Sequence, residues 1–195
     1  MTKNIILCGV GGQGTVLASR LISAAAMAKG IPVLSAETIG MAQRGGSVFS
    51  HLRMGEGICS PMIARGEADL IIGFEPGEAV RLLPFLKPGG SVIVSDRAVM
   101  PVTASLSASQ YRAEDMLAYL ADRVPALTVV RAEEALRAVG SPKVLNLILL
   151  GAAVRSGALG LDEGDLREAI RSRIPEKFQE LNFKALSFAS VQSVR

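Results

Sequence analysis

A glycine-rich turn near the amino terminus restricts the possible folds of this chain more than any other feature. Residues 9–14 have the sequence Gly-Val-Gly-Gly-Gln-Gly; they follow the apolar run Ile-Ile-Leu-Cys and precede a stretch rich in Ala, Leu and Ile at helical spacing. Glycines at such a junction let the backbone approach a phosphate, and free N–H groups at the helix start favour an anion. The turn therefore predicts a strand–helix junction that can bind a phosphate-bearing ligand.

Strands and helices alternate along the remaining chain. Strands are predicted over residues 5–8, 32–36, 47–54, 68–74, 91–95 and 127–130, with a short returning strand over 58–61 and a break at 87–90. Helices are predicted over residues 13–29, 78–86, 113–123, 132–139, 143–156 and 162–173, and Pro175 starts a last helix that reaches about residue 192. The order predicts one Rossmann-like α/β domain over residues 1–195, with a first β-α-β unit, a mostly parallel sheet, helices on both faces and a helical last third.

Composition argues against several classes of protein. The chain has 195 residues, of which 49% are hydrophobic and 20% charged, which excludes wholesale disorder. The net charge of +3 is spread out and aromatic residues make up 4%, so nucleic-acid binding is not expected. The apolar run at residues 145–154 is too short to span a bilayer, and no signal peptide is evident at the start. We therefore expect a soluble cytoplasmic protein without a membrane partner.

The two cysteines and the single histidine do not form a pattern typical of metal binding or nucleophilic catalysis. Cys8 and Cys59 lack metal-ligand spacing, and two thiols are too few for an iron–sulfur cluster with four cysteine ligands. Reduced, packed thiols are the favoured interpretation, and a disulfide between them stays open. His51 lies on an alternating strand, where a packed or surface histidine is favoured. We predict no catalytic or metal site in this chain.

The glycine turn is the first candidate for ligand binding. Its candidate residues are Gly11, Gly12, Gln13 and Gly14. Glu37 ends the second predicted strand, near the position where dinucleotide-binding domains place an acid on a ribose. Glycine-rich turns also occur for packing reasons, and that alternative stays open here.

The polar loop after Glu37 is the second candidate. Its candidate residues are Gln43, Arg44, Gly45, Gly46 and Ser47. A guanidinium beside exposed backbone N–H groups can form an anion pocket. The alternative is a flexible connection between two strands.

Glu75 is the third candidate, because it follows a predicted strand at the carboxyl edge of the sheet. Ligands gather at this edge in open α/β sheets, so Glu75 is expected near the glycine turn and Arg44. The alternative is a helix start at which an acidic residue stabilises the first turn.

These motifs together resemble those of a known family. Residues 9–14, Glu37, residues 40–47 (Gly-Met-Ala-Gln-Arg-Gly-Gly-Ser) and residues 73–76 (Gly-Phe-Glu-Pro) resemble the gamma subunit, or gamma domain, of 2-oxoacid:ferredoxin oxidoreductases. Within that family the chain is most similar to the small beta subunits of indolepyruvate:ferredoxin oxidoreductases. The resemblance covers nearly the whole chain, including residues 143–146 and 174–185.

The resemblance implies an enzyme subunit that is inactive alone. The whole enzyme would oxidatively decarboxylate an aryl 2-oxoacid such as indolepyruvate, add coenzyme A, and pass electrons to ferredoxin. Thiamine diphosphate and the iron–sulfur clusters would be carried by a large alpha subunit. The chain itself would hold no cofactor alone, although coenzyme A is a plausible ligand, with its phosphates on the glycine turn and on the Arg44 loop.

Two other functions stay open on the sequence. One is a stand-alone Rossmann-like oxidoreductase that binds NAD or FAD, with Glu37 on a ribose. The other is a regulatory module that binds coenzyme A or a nucleotide without catalysis.

Overall fold

The computed structural model describes residues 2–38, 45–100, 111–188 and 191–193, and within them the chain forms a seven-stranded sheet flanked by helices. The strands are β1 (Lys3–Val10), β2 (Val33–Thr38), β3 (Ser47–Met54), β4 (Ala68–Gly73), β5 (Leu86–Ser95), β6 (Ala126–Val130) and β7 (Val191–Ser193). The helices are α1 (Thr15–Ala28), α2 (Pro76–Leu82), α3 (Ala113–Arg123), α4 (Ala132–Val139), α5 (Leu145–Arg155), α6 (Glu163–Arg173) and α7 (Glu176–Leu186), with a 3₁₀ turn at Leu83–Phe85.

The sheet has the strand order β2-β3-β1-β4-β5-β6-β7. Strands β1, β4, β5 and β6 pair in parallel, whereas β3 is antiparallel to both β1 and β2, and β7 is antiparallel to β6. Strand β2 therefore runs in the same direction as β1. Five of the seven described strands share one direction, which confirms the predicted mostly parallel α/β sheet.

Alternate residues of β1 enter two separate hydrophobic cores, as the two-residue period of a strand requires. Ile5 and Leu7 pack in a core that includes residues of α1 and of α4 to α7. Ile6 and Cys8 pack in a second core, on the other face, with residues of α2 and α3. Both faces of β1 are covered, which explains its nearly continuous apolar sequence and confirms helices on both faces of the sheet.

The sequence predicted the first β-α-β unit but not the strand that lies between its two strands. Strand β2 follows α1 and runs parallel to β1, but β3 lies between them and pairs with both. The predicted returning strand over residues 58–61 is wrong, because this segment is irregular. The loop through Gly55 turns the chain after β3, and the next strand, β4, lies on the other side of β1.

Three further boundaries differ from the prediction. The predicted break at residues 87–90 lies inside β5, where a register shift between the pairs Ala68–Leu86 and Leu70–Ser91 absorbs the extra residues as a bulge. Helix α2 starts at Pro76 and ends at Leu82. Helix α7 ends at Leu186 rather than near residue 192.

The carboxyl-terminal third is helical, as predicted. Asp162 is the N-cap of α6 and forms a capping box with Asp165, in which each carboxylate accepts a hydrogen bond from the other residue's backbone N–H at 2.8–2.9 Å. No helix in the described ranges combines the length and the apolar character needed to cross a membrane.

Candidate functional site

The glycine turn lies where β1 ends and α1 begins, at the point where the chain changes direction in the sheet. From β1 the chain passes to β2 on one side, and from β4 it passes to β5 on the other. Gly12 and Gly14 have φ angles of 100° and 85°, which side chains rarely tolerate, and Gly14 is the N-cap of α1. A crevice forms at such a switch point at the carboxyl ends of the strands, and it is where ligands bind in open α/β sheets.

Gln13 has a structural role that its position in the motif did not reveal. Its Oε1 accepts a hydrogen bond from the N–H of Val10 at 2.7 Å, and its Nε2 donates to the carbonyl oxygen of Phe74 at 3.0 Å. The side chain thereby ties the end of β1 to the end of β4. A Cβ on Gly9 would lie 2.6 Å from this Oε1, so Gly9 leaves room for the bridge.

The larger cavity beside the turn has a volume of about 380 Å³. Four predicted residues line it together: Gly11, Gly12, Gly14 and Glu37. The residues that the sequence analysis missed are Thr15, Val16, Thr38, Val48, Phe49 and Ser50. The cavity is large enough for part of a nucleotide-sized ligand, and its walls are mainly apolar apart from the Glu37 carboxylate and the hydroxyl groups.

Hydrogen bonds hold the start of β3 beside this cavity. The N–H of Gly11 donates to the carbonyl oxygen of Gly46 at 2.8 Å. The hydroxyl of Ser47 donates to Glu78 at 2.6 Å and accepts from Arg81, which also pairs with Glu78 at 2.7 Å. Gly46 and Ser47 thus link the glycine turn to α2.

Two residues of the predicted anion loop, Gln43 and Arg44, lie outside the described residues. Their proposed contact with a ligand therefore stays a prediction. Gly45, which follows them, has a φ of 78° and precedes β3. The described part of the loop returns to the glycine turn, as expected for a loop that borders the same crevice.

Glu75 is buried, with 2% of its surface exposed, and it caps α2. Its carboxylate accepts hydrogen bonds from the N–H groups of Glu78 at 2.9 Å and Val99 at 3.4 Å and from the hydroxyl of Tyr111. Burial, and next the bond to Glu75, raises the pKa of Tyr111 well above its usual range. These contacts match the helix-start alternative, and direct ligand contact by Glu75 stays a prediction.

A smaller cavity of about 240 Å³ lies on the other side of Gly12. Its lining residues are Gly12, Gln13, Arg97, Val99, Pro142, Lys143 and Leu145. The sequence analysis did not single out Arg97 or Lys143 as ligand residues. The position of Arg97 just after β5 was an available signal, because it places the side chain at the same carboxyl edge as the glycine turn.

Asn146 lies in the first turn of α5 and is only 3% exposed. Its Oδ1 has no hydrogen-bond partner among the described residues. Its Nδ2 lies 3.1 Å from the position that a Cβ on Gly14 would occupy. A buried carbonyl oxygen without a partner is uncommon in folded proteins, and this one belongs to a side chain beside the start of α1.

Neither cysteine forms a disulfide in the structure. Cys8 is buried in β1, and burial raises the pKa of its thiol well above the usual range, so it is an inert core residue. The prediction of a packed thiol is therefore confirmed for Cys8. It is wrong for Cys59, which is exposed on the loop after β3.

His51 is packed, which is one of the two placements, packed or surface, that the sequence favoured. It is buried on β3, its Nδ1 accepts a hydrogen bond from the N–H of Ile63 at 3.2 Å, and its ring makes edge contacts with Phe49 and Phe85. Burial lowers its pKa below the ordinary value of 6.5.

This lowered pKa predicts a loss of stability in mild acid. Below about pH 6.5 the unfolded chain binds a proton at His51 that the folded chain does not. The free energy of unfolding should therefore fall by up to about 1.4 kcal/mol per pH unit until the folded pKa is reached. Urea unfolding between pH 5 and 7.5 measures this slope.

The variant His51→Asn is the control for that slope, because an amide oxygen can replace the Nδ1 acceptor without titrating. The carboxyl groups of Glu163 and Asp165 also have lowered pKa values, but their contribution is lost only below about pH 4.5. If the free energy of unfolding of His51→Asn changed with pH above pH 5 as steeply as that of the natural chain, His51 would not be the titrating group.

The fold and the site together define an open α/β domain with a glycine-rich turn at the switch point of its sheet and a ligand-sized cavity beside that turn. Residues 4–190 match the model of the pyruvate ferredoxin/flavodoxin oxidoreductase family, and the chain belongs to this family.

Relatives of similar length support this membership. The chain is 35% identical, over its whole length and 96% of the relative, to indolepyruvate oxidoreductase subunit IorB of Archaeoglobus fulgidus. It is 37% identical to the subunit of the same name from Methanothermobacter thermautotrophicus, over 95% of this chain and 94% of the relative.

Solved structures share the fold. The gamma subunit of a keto/oxoacid ferredoxin oxidoreductase from Geobacter sulfurreducens has a TM-score of 0.68 and 24% identity, and the match covers 95% of this chain and 93% of that one. A 2-oxoglutarate:ferredoxin oxidoreductase from Magnetococcus marinus, with 2-oxoglutarate, coenzyme A and succinyl-CoA bound, has a TM-score of 0.69 at 18% identity. The second match covers 95% of this chain and 30% of that longer one.

Proposed function

We propose that this chain is the small, thiamine-free subunit of an indolepyruvate:ferredoxin oxidoreductase and that it supports coenzyme A-dependent decarboxylation of an aryl 2-oxoacid. The observation that carries the proposal is the match, over nearly the full length of both chains, to relatives named as indolepyruvate oxidoreductase subunits. A subunit of a 2-oxoacid:ferredoxin oxidoreductase is also what the family and the fold of the Geobacter gamma subunit indicate.

The chemistry is assigned to a larger partner. Two cysteines, one of them buried, do not fit a cluster that needs four thiolate ligands. The single histidine is packed between aromatic rings in the core. We therefore place thiamine diphosphate and the iron–sulfur clusters in a large alpha subunit, which also delivers electrons to ferredoxin, and we expect this chain to be inactive alone.

Coenzyme A is the ligand that we assign to the glycine turn. The N–H groups at the start of α1 suit a phosphate, and Glu37 lines the larger cavity, where it can accept a hydrogen bond from an uncharged donor such as the adenine amine. The Magnetococcus enzyme, which contains this fold, has coenzyme A bound in its solved structure.

A stand-alone NAD- or FAD-binding oxidoreductase is the second candidate. Glu37 lies one residue before the end of β2 and lines the same cavity as the glycine turn, although β3 separates β2 from β1, which dinucleotide-binding domains place side by side. This function requires tight dinucleotide binding by the chain alone, whereas the first requires a partner.

The complex itself separates these candidates. The chain, tagged and isolated from its native extract, should bring with it a long thiamine- and iron–sulfur-containing chain. That complex should reduce ferredoxin or a dye with indolepyruvate and coenzyme A, at a higher kcat/KM than with pyruvate, 2-oxoisovalerate or 2-oxoglutarate. Preference for a non-aryl substrate would contradict the indolepyruvate assignment and leave the subunit assignment standing. Tight NAD binding without such a partner would favour the second candidate.

A further inference from the structure

The two cavities beside Gly12 differ in charge. The larger one has the Glu37 carboxylate and mainly apolar walls. The smaller one is lined by two cationic residues, Arg97 and Lys143, both of them exposed, and by no acidic residue among the described ones. The nearest acid in sequence, Asp96, is engaged elsewhere, because its carboxylate accepts a hydrogen bond from the N–H of Ala132 at 2.8 Å.

Neither cation of the smaller cavity is neutralised by a neighbour within the described ranges. There the side chains of Arg97 and Lys143 form no ion pair or hydrogen bond, and both residues donate only from their backbone N–H groups, to Ser95 and Ser141. Lys29, which is also exposed, is paired with Asp165, whereas Arg65 and Arg173 form no ion pair within the described ranges but do not share a cavity. Two like charges on one small concave surface repel each other, and an anion between them would relieve this repulsion.

The helix starts around this cavity add to the positive potential. Leu145 is the first residue of α5, and Gly12 and Gln13 precede α1. Among the seven described α-helices, α1 and α5 are the two with no acidic residue in the first turn. Their partial positive charges therefore stay uncompensated within the described chain.

Space and an unpaired amide are also available there. A Cβ on Gly12 would meet no atom within 4 Å, so the backbone between the two cavities is open to a ligand. The buried side chain of Asn146 makes no hydrogen bond within the described chain and lies between the starts of α1 and α5. Its Oδ1 is a buried acceptor without a partner there, which a water or a donor group of a ligand would complete, and Asn146 itself does not line the smaller cavity.

We propose that the smaller cavity is a phosphate-binding subsite in which Arg97 and Lys143 hold the diphosphate of the ligand, while the larger cavity holds its uncharged part. A guanidinium binds two phosphate oxygens at once and an ammonium group adds a compact charge. Glu37 would repel a phosphate in the larger cavity. The inference rests on the proposed function only for the identity of the ligand, since coenzyme A and a dinucleotide both contain a diphosphate.

Pyrophosphate titrated into the full chain tests the subsite without any turnover. We expect the double variant Arg97→Gln/Lys143→Gln to weaken pyrophosphate binding at least tenfold, as measured by calorimetry at fixed salt. The matched control is Arg65→Gln/Arg173→Gln, which removes the same charge from two exposed cations that line neither cavity. Equal weakening by both double variants, or no weakening by the first, would overturn the proposal.

Titrations with coenzyme A and with NAD identify the source of the diphosphate. A matching loss of coenzyme A affinity in Arg97→Gln/Lys143→Gln supports both the subsite and the proposed function. A matching loss for NAD alone keeps the subsite and contradicts the assignment of coenzyme A. Pyrophosphate binding that depends on both cations, with neither larger ligand bound, keeps the subsite as a phosphate site and likewise contradicts that assignment.

Discussion

Gly151→Ala is expected to destabilise this protein by about 3 kcal/mol or more, although alanine normally stabilises a helix by up to about 1 kcal/mol relative to glycine. Gly151 lies within α5, and a Cβ there would lie 1.9 Å from the carbonyl oxygen of Leu186, the last residue of α7. The two helices would have to separate. Arg155, which donates to the same carbonyl at 3.0 Å, would lose its bond as well.

Urea unfolding of Gly151→Ala measures this loss, and Gly164→Ala is its control. Gly164 is also helical, in the first turn of α6, but its nearest neighbour is the side-chain oxygen of Asp162 at 3.1 Å. A side chain can move where a backbone cannot, so this variant should stay within about 1 kcal/mol of the natural chain. A Gly151→Ala protein as stable as Gly164→Ala would show that α5 and α7 do not pack as described.

Gly12→Asp is expected to lower kcat/KM for coenzyme A in the assembled enzyme at least tenfold relative to Gly12→Asn. Both side chains fit the open space at this position and share the cost of a φ of 100°, so the comparison isolates charge. A carboxylate about 5 Å from a phosphate costs about 3 kcal/mol before salt screening, more than the 1.4 kcal/mol of a tenfold effect.

The loss in Gly12→Asp should reside in KM for coenzyme A, with kcat recovered at saturating coenzyme A, and it should shrink as salt is added. Equal values in the Asp and Asn variants would mean that no phosphate approaches Gly12. The glycine turn would then serve packing alone.

The sequence predicted most accurately the helices whose bounds depend on interactions within the helix itself. Residues 113–123 and 132–139 form α3 and α4 with the predicted bounds, because amphipathic spacing and acidic first turns act within each helix. Asp162 caps α6 for the same reason. The resemblance stated from the motifs is confirmed by the family match over residues 4–190.

The wrong sequence-based predictions concern features that depend on contacts between residues far apart in the chain. The position of β3 between β1 and β2 depends on which strand edge is free, and no residue pattern within residues 47–54 encodes it. The break expected at residues 87–90 is absorbed as a bulge because β4 supplies a partner strand. Helix α7 ends at Leu186, where its carbonyl meets α5, rather than at a local stop signal.

The sequence predicted the glycine turn and Glu37 as parts of the candidate site, but it did not predict the other residues that line the two cavities. Gly11, Gly12, Gly14 and Glu37 meet in one cavity, as the spacing of a dinucleotide-type turn implies. The inward bridge of Gln13 depends on the end of β4, which no motif position reveals. The convergence of Arg97 and Lys143 depends on how α5 packs against the sheet, so sequence spacing could not bring the two together.

The most direct test of the proposed function is coenzyme A-dependent ferredoxin reduction by the purified large partner, measured with indolepyruvate in the presence and absence of this chain. We predict little coenzyme A-dependent turnover by the partner alone, none by this chain alone, and a rate that rises with added chain to a fixed stoichiometric ratio. A partner that gives the full coenzyme A-dependent rate without this chain would contradict the proposed function.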